Sequence, residues 1–379
     1  MRRAAILGAS PYLHDYYRFD ASSLLRATGG NTGNLAFLYA VSEHLGPSVP
    51  FVSIETPINE IRHIADVLIL PLANQLGRHT NLIHLAEKLE ALALPVVGVG
   101  LGAQLKSMDE NIELQPGTKR WLETMARLSP SDQPNIGVRG EFTKCQMGRY
   151  GVEHAAAVIG CPSNFINSRD DIASQLALGF SKRPRRIAVT AGIPYIPALA
   201  TTEQNLAALV SETDGAYIVQ HDLEMVQLAR REFDRMQPTL LETCRQYICP
   251  HLDTAAFLAW CERHARVFGD VQAWMDYLRR FDFVIGTRLH GAMLALQAGV
   301  PAACIAHDSR TLELCETMGM PARSFAEIGT LTQDNLTQVF KFDEMSFRET
   351  RRRLLQAYVR IYDSAEVMIT EALAQLLQK

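Results

Sequence analysis

Asp282-Phe283-Val284-Ile285-Gly286-Thr287-Arg288-Leu289-His290-Gly291-Ala292-Met293-Leu294-Ala295-Leu296-Gln297-Ala298-Gly299-Val300-Pro301-Ala302-Ala303-Cys304-Ile305-Ala306-His307-Asp308-Ser309-Arg310 holds one complete strand, helix, strand unit. Phe283 to Ile285 is an apolar run of the kind that fills a strand covered on both faces, and it stops at Gly286-Thr287. The Ala- and Leu-rich run that follows reads as a helix closed by Gly299, with Pro301 just beyond to keep it from continuing. Pro301 to Ala306 is the next strand. Two strands joined by a helical crossover run parallel. In an open parallel sheet the carboxyl ends of the strands face the ligand crevice. Arg288 and His290 therefore follow one strand into that crevice, and His307, Asp308 and Arg310 follow the next.

The same alternation extends in both directions. Apolar runs at 4–8, 51–54, 66–70, 95–100, 135–139 and 156–159 give a first set of strands, and 81–93 carries Leu82, Leu85, Leu89 and Leu92 at helical spacing. The pattern lapses over 167–186, with room for a short helix at 172–178, and restarts at 186–192, 216–220, 281–286 and 301–306. Helical patterns are expected at 224–246, 253–268 and 271–280. The expected fold is α/β, with two doubly wound, Rossmann-like domains in a GT-B-like arrangement. Its parts are a first domain over 1–175 on the acceptor side, a second over 176–345 on the donor side, and a long C-terminal helix in 346–379. One apolar face runs from Phe347 to Leu377, and fold analogy places that helix back on the first domain.

Composition narrows the function. A formal net charge of -4 gives no footprint for a nucleic-acid partner, and the basic runs 182–186 and 351–353 read as a linker and a helix face. No apolar run approaches the ~20 residues needed to span a bilayer, so a cytoplasmic protein is expected. Seven scattered cysteines fit reduced thiols. Cys249, His251, Cys261 and His264 lack the regularity of a zinc site, so no metal is expected.

Arginine presents a rigid fork that matches a carboxylate or a phosphate, and histidine transfers protons near neutral pH. On this chemistry Arg288 and His290 are the catalytic candidates, with Leu289, Asp308, Arg310 and His221 beside them on the donor side. Asn31, Gly33 and Asn34 form a glycine-rich loop that can cradle a phosphate or a sugar, and Gln104 closes a second such loop. Arg139 is read as a ligand contact or, through its neighbour Glu141, as half of an ion pair. Cys161 in Gly160-Cys161-Pro162-Ser163 reads as part of a rigid turn, because the nearest histidine in sequence, His154, lies at the far end of the preceding strand.

Arg288-Leu289-His290-Gly291-Ala292, Gly299-Val300-Pro301 and His307-Asp308-Ser309-Arg310, taken in order, resemble the C-terminal landmarks of the polysaccharide pyruvyl transferase family. Asn31-Thr32-Gly33-Asn34, the run 98–104, Gly137-Val138-Arg139-Gly140-Glu141 and Gly160-Cys161-Pro162-Ser163 extend the likeness. Asn34 stands where Asp is more usual, and Arg310 where Lys is more familiar. The resemblance implies transfer of a pyruvyl group from phosphoenolpyruvate to two hydroxyls of a cell-surface glycan or its precursor, giving a ketal. His290 would serve as acid or base, and Arg288 and Arg310 would hold the donor. No cofactor is implied, and the partners are the anionic donor and a glycan acceptor that peripheral contact could reach on a lipid carrier. Two alternatives stay open: a GT-B glycosyltransferase using a nucleotide sugar, with Asp308 or Glu313 as its acidic grip, and a non-catalytic anion binder on the same fold.

Overall fold

The computed structural model describes residues 1–105 and 108–378. It consists of two lobes, each built on a six-stranded parallel sheet. The first carries β1 (Ala4–Leu7), β2 (Phe51–Val52), β3 (Val67–Pro71), β4 (Val96–Leu101), β5 (Ile136–Val138) and β6 (Ala156–Val158), in the order β2-β1-β3-β4-β5-β6. The second carries β7 (Ile187–Thr190), β8 (Ala216–Ile218), β9 (Ala265–Arg266), β10 (Phe283–Gly286), β11 (Ala302–Ala306) and β12 (Ala322–Ser324), in the order β12-β11-β10-β7-β8-β9. Central strands such as β7, β10 and β11 are buried along their whole length, which is why their sequences run apolar without alternation. This is the α/β, two-domain, GT-B-like architecture.

Three local expectations are corrected. The pattern over 224–246 is not one helix: Leu223–Arg230 ends where Arg231 turns left-handed at φ 60°, and a new helix, Pro238–Ile248, starts at a proline suited to a first turn. The pattern over 253–268 ends as a helix at His264, and Ala265–Arg266 becomes the edge strand β9. The terminal face from Phe347 to Leu377 belongs to two helices, Glu344–Ser364 and Glu371–Gln378, separated where Glu366 adopts φ 57°. Lys379, the last residue of that expected segment, lies outside the described residues.

Each lobe holds an element supplied from beyond its own sheet. Helix Glu344–Ser364 packs on β5, β6 and the helix Ile172–Phe180 of the first lobe. Conversely, helix Ala21–Ala27 of the N-terminal segment sends Leu24 and Leu25 into the core of the second. Helix Asn34–Leu45 is buried on nearly every side. Its His44 is bonded to the Tyr358 hydroxyl and the Phe165 carbonyl, each at 3.1 Å.

Burial, reinforced by Arg351, lowers the His44 imidazole from 6.5 to about 4 against the bond to Phe165. The unfolded chain therefore binds this proton below 6.5 while the folded chain refuses it down to about 4, so stability is lost as pH falls through that window. The expected contribution is about 2 kcal/mol lost by about pH 5. Thermal melts at neutral and mildly acidic pH should show a smaller acid drop for His44→Gln than for the wild type. Equal drops would place the acid sensitivity elsewhere.

Candidate active site

Arg288 and His290 sit where β10 gives way to the helix Leu289–Gln297, at the carboxyl edge of the second sheet. Their cavity, about 470 Å³ including its open mouth, lies between the lobes. Arg139 enters from the end of β5, Asn74 from beyond β3, Asn31 and Asn34 from the start of the buried helix Asn34–Leu45, Gln220 from beyond β8, and Arg310 from the helix Ser309–Met318. Five strand ends from two sheets thus supply one pocket, as the crevice rule for parallel sheets requires.

The cavity is cationic at its wall. Arg139 is 2% exposed, and its Nε donates to the Gly100 carbonyl at 2.9 Å and its Nη1 to Asn74 Oδ1 at 2.5 Å. A Cβ on Gly102 would fall 2.7 Å from Arg139 Cδ, so the glycine there is what lets the arginine through. Arg288 is 8% exposed, and its Nε and Nη2 are buried with no hydrogen-bond partner among the described residues. Burial, with the nearby Arg310, draws the Arg288 guanidinium down to about 10, which leaves it charged at neutral pH. Arg310 is held by Asp308 at 3.2 Å. Burial and the charges of Arg139 and Arg310 push the His290 imidazole down to about 3, so it is neutral in the empty pocket. Phe37 packs on its ring, with centroids 5.7 Å apart.

Of the residues read from the sequence, Asn31, Asn34, Arg139, Arg288, Leu289, His290 and Arg310 all line this cavity. Asp308 does not: it caps the helix Ser309–Met318 through the Thr311 N–H and steers Arg310 from behind. His221 pairs with Asp222 at 3.2 Å just outside the lining, and burial lowers its imidazole. Gln104 is exposed, with its backbone N–H on the Leu76 carbonyl. Gly33 serves lobe contact, since a Cβ there would meet Gln220 Oε1 at 2.3 Å and the neighbouring Thr32 N–H donates to the Gln220 carbonyl. The ion pair between Arg139 and Glu141 does not form, because Glu141 opens the next helix while the guanidinium turns back to Gly100 and Asn74.

Two buried acidic residues, the candidate Glu313 and Glu203, have other duties. Glu313 accepts from the Thr143 N–H at 2.7 Å and the Thr143 hydroxyl at 2.8 Å, clasping the two lobes, and burial raises its carboxyl. Glu203 accepts from the Gly192 N–H and from the Tyr217 hydroxyl. Sequence reasoning missed Asn74 and Gln220 as lining residues, although each lies just past a strand's carboxyl end and the crevice rule would have marked both. It also set aside Cys161, whose Sγ lies 3.9 Å from His290 Nε2. Among the described residues no three His, Cys, Asp or Glu side chains gather to hold a metal, and no helix is long and apolar enough to cross a membrane.

The fold is similar to that of the UDP-GlcNAc 2-epimerase from Methanocaldococcus jannaschii, at 13% identity and a TM-score of 0.46 over 95% of this chain and 99% of that one. It is also similar to the UDP-GlcNAc 2-epimerase from Neisseria meningitidis bound to UDP-GlcNAc, at 9% identity and a TM-score of 0.38 over 86% and 80%. No curated protein matches the chain in sequence. The model of one family, polysaccharide pyruvyl transferase, matches residues 31–309. That span runs from the asparagine loop at the cavity's rim through Arg139, Arg288 and His290 to the helix cap beside Arg310, and the chain accordingly belongs to the polysaccharide pyruvyl transferase family, a family of transferases.

Proposed function

We propose that this chain transfers the pyruvyl group of phosphoenolpyruvate to two hydroxyls of a sugar in a cell-surface glycan or its precursor, forming a cyclic ketal and releasing phosphate. The observation that carries the reading is Arg288, a buried guanidinium whose Nε and Nη2 have no partner among the described residues. Those two N–H groups form one edge of the fork, which matches two oxygens of a carboxylate or phosphate. A buried charged N–H without a partner is costly, and an anion bound across both would remove that cost. Arg139 and Arg310 add charge for a donor that carries both a carboxylate and a phosphate, and the phosphate leaves into that same field. The scheme asks for no cofactor. The acceptor enters from the asparagine side of the mouth, where Asn31 and Asn34 offer hydrogen bonds to hydroxyls.

A nucleotide-sugar donor is the second reading, on the GT-B-like fold alone. Glu313, a candidate for gripping its ribose, is occupied by Thr143. Thermal shift with phosphoenolpyruvate against a panel of nucleotide sugars separates the two. Stabilisation by phosphoenolpyruvate, followed by phosphate release and a ketal product on a candidate glycan, supports the first; stabilisation by a nucleotide sugar alone overturns it.

The glycine that admits Arg139 gives a further check. Gly102→Ala should displace the guanidinium without touching the donor, raising KM for phosphoenolpyruvate by about tenfold to a hundredfold through misplacement of roughly an ångström. An unchanged KM in a folded variant would remove Arg139 from the donor site.

A further inference from the structure

We infer that Cys161 is a positioning residue that sets the tautomer of His290 and holds the proton the imidazole hands to the donor, a reading that rests on phosphoenolpyruvate being that donor. Cys161 is 1% exposed, in a turn that Gly160 enters at φ 71° and Pro162 continues. Its Sγ lies 3.9 Å from His290 Nε2 and accepts the Ser163 hydroxyl at 3.0 Å. In the tautomer proposed, the sulfur accepts from Ser163 and its own S–H donates to Nε2. A neutral imidazole that accepts at Nε2 carries its proton on Nδ1. Nδ1 has no protein partner among the described residues, and His290 lines the cavity while Cys161 does not. In that tautomer the donatable proton sits on a residue that lines the cavity, with the thiol as its other partner.

This chain of groups resolves a difficulty in the chemistry. C3 of the enol must gain a proton, yet the pocket's cations are arginines, and its histidine is neutral. A neutral imidazole can still deliver a proton if it is refilled from the other side. As Nδ1–H breaks, the C3 carbon takes the proton with the π electrons of the enol, while Cys161 S–H breaks and Nε2–H forms. C2 bonds the oxygen of the first sugar hydroxyl. That hydroxyl's proton goes to Nδ1, and the Nε2 proton returns to the thiolate, so the pair ends as it began. Phosphate then leaves with the electrons of its bond to C2, and the second hydroxyl closes the ketal, giving its proton to the departing phosphate. No oxidant or reductant is involved. The transient thiolate faces Arg139, from the end of β5, and Tyr358, from the helix Glu344–Ser364.

The test compares the wild type with Cys161→Ala and Cys161→Ser in phosphate release, across phosphoenolpyruvate concentration. Loss of a proton relay should lower kcat by about tenfold to a hundredfold, with KM for phosphoenolpyruvate within about threefold of the wild type. The serine variant, whose hydroxyl can still bond Nε2, should fall less far, by about threefold to tenfold in kcat with KM unchanged. If the alanine variant does not fold, the kcat of the serine variant decides. A wild-type kcat in a folded variant would overturn the inference. A wild-type protein that neither binds nor turns over phosphoenolpyruvate would sink the donor reading, and this inference with it.

Discussion

Arg288→Ala is expected to lower kcat/KM for phosphoenolpyruvate by about a hundredfold to ten-thousandfold while leaving the donor-free protein at least as stable as the wild type. Both halves follow from the same atoms. Nε and Nη2 are buried with no hydrogen-bond partner among the described residues, so the folded protein bears the cost of stripping water from a charged group and receives little back. Deleting the side chain relieves that cost, and melts without donor should move up or stay level. Once the donor is bound the same two N–H groups make charge-assisted bonds in a site shielded from water, and removing one member of such a buried pair costs about 3 to 5 kcal/mol. Arg288→Lys should recover only part of the loss, because an ammonium cannot reproduce the fork's two parallel bonds. A variant that lost stability and activity together would mark Arg288 as a structural residue.

The sequence made the second lobe's strand ends legible because buried parallel strands must be apolar throughout and must end abruptly; 283–286 and 302–306 could scarcely be read otherwise. Arg288, His290 and Arg310 followed at once. Arg139 and Cys161 were harder for one reason: their partners are distant in the chain. Arg139 had Glu141 two residues away and so suggested an ion pair, yet the direction of a side chain at a strand's end is set by the neighbouring strand, here through Gly100, and by the space Gly102 leaves. Cys161 was judged against His154, while the imidazole that matters comes from the other lobe, 129 residues on. The loop Gly29 to Asn34 was legible in Asn31 and Asn34, which line the cavity, and not in Gly33, which admits Gln220 so that the lobes can meet. Helix breaks at Arg231 and Glu366 were not legible, since a single residue in a left-handed conformation leaves the apolar spacing on either side intact.

His290 should behave as the mirror image of Arg288. Its imidazole is neutral in the empty pocket, lowered from 6.5 to about 3 by burial and by Arg139 and Arg310, so it contributes no charge to donor capture. His290→Gln is therefore expected to leave the dissociation constant of phosphoenolpyruvate within a few-fold of the wild type while kcat falls by about a hundredfold to ten-thousandfold, the range for loss of a general acid or base. The sign of the pH dependence sharpens the distinction. A group with its pKa depressed to about 3 does not titrate as pH falls through 6.5. Any weakening of donor binding in that range then comes from groups other than His290, among them the donor's own phosphate, whose second ionisation lies at about 6. Curves of phosphoenolpyruvate affinity against pH for the wild type and His290→Gln should then superimpose, with only turnover separating the two proteins. Divergence of the affinity curves near the ordinary histidine range would mean that His290 is protonated when the donor arrives, and that it holds the anion as a cation rather than serving the enol carbon as a neutral proton carrier.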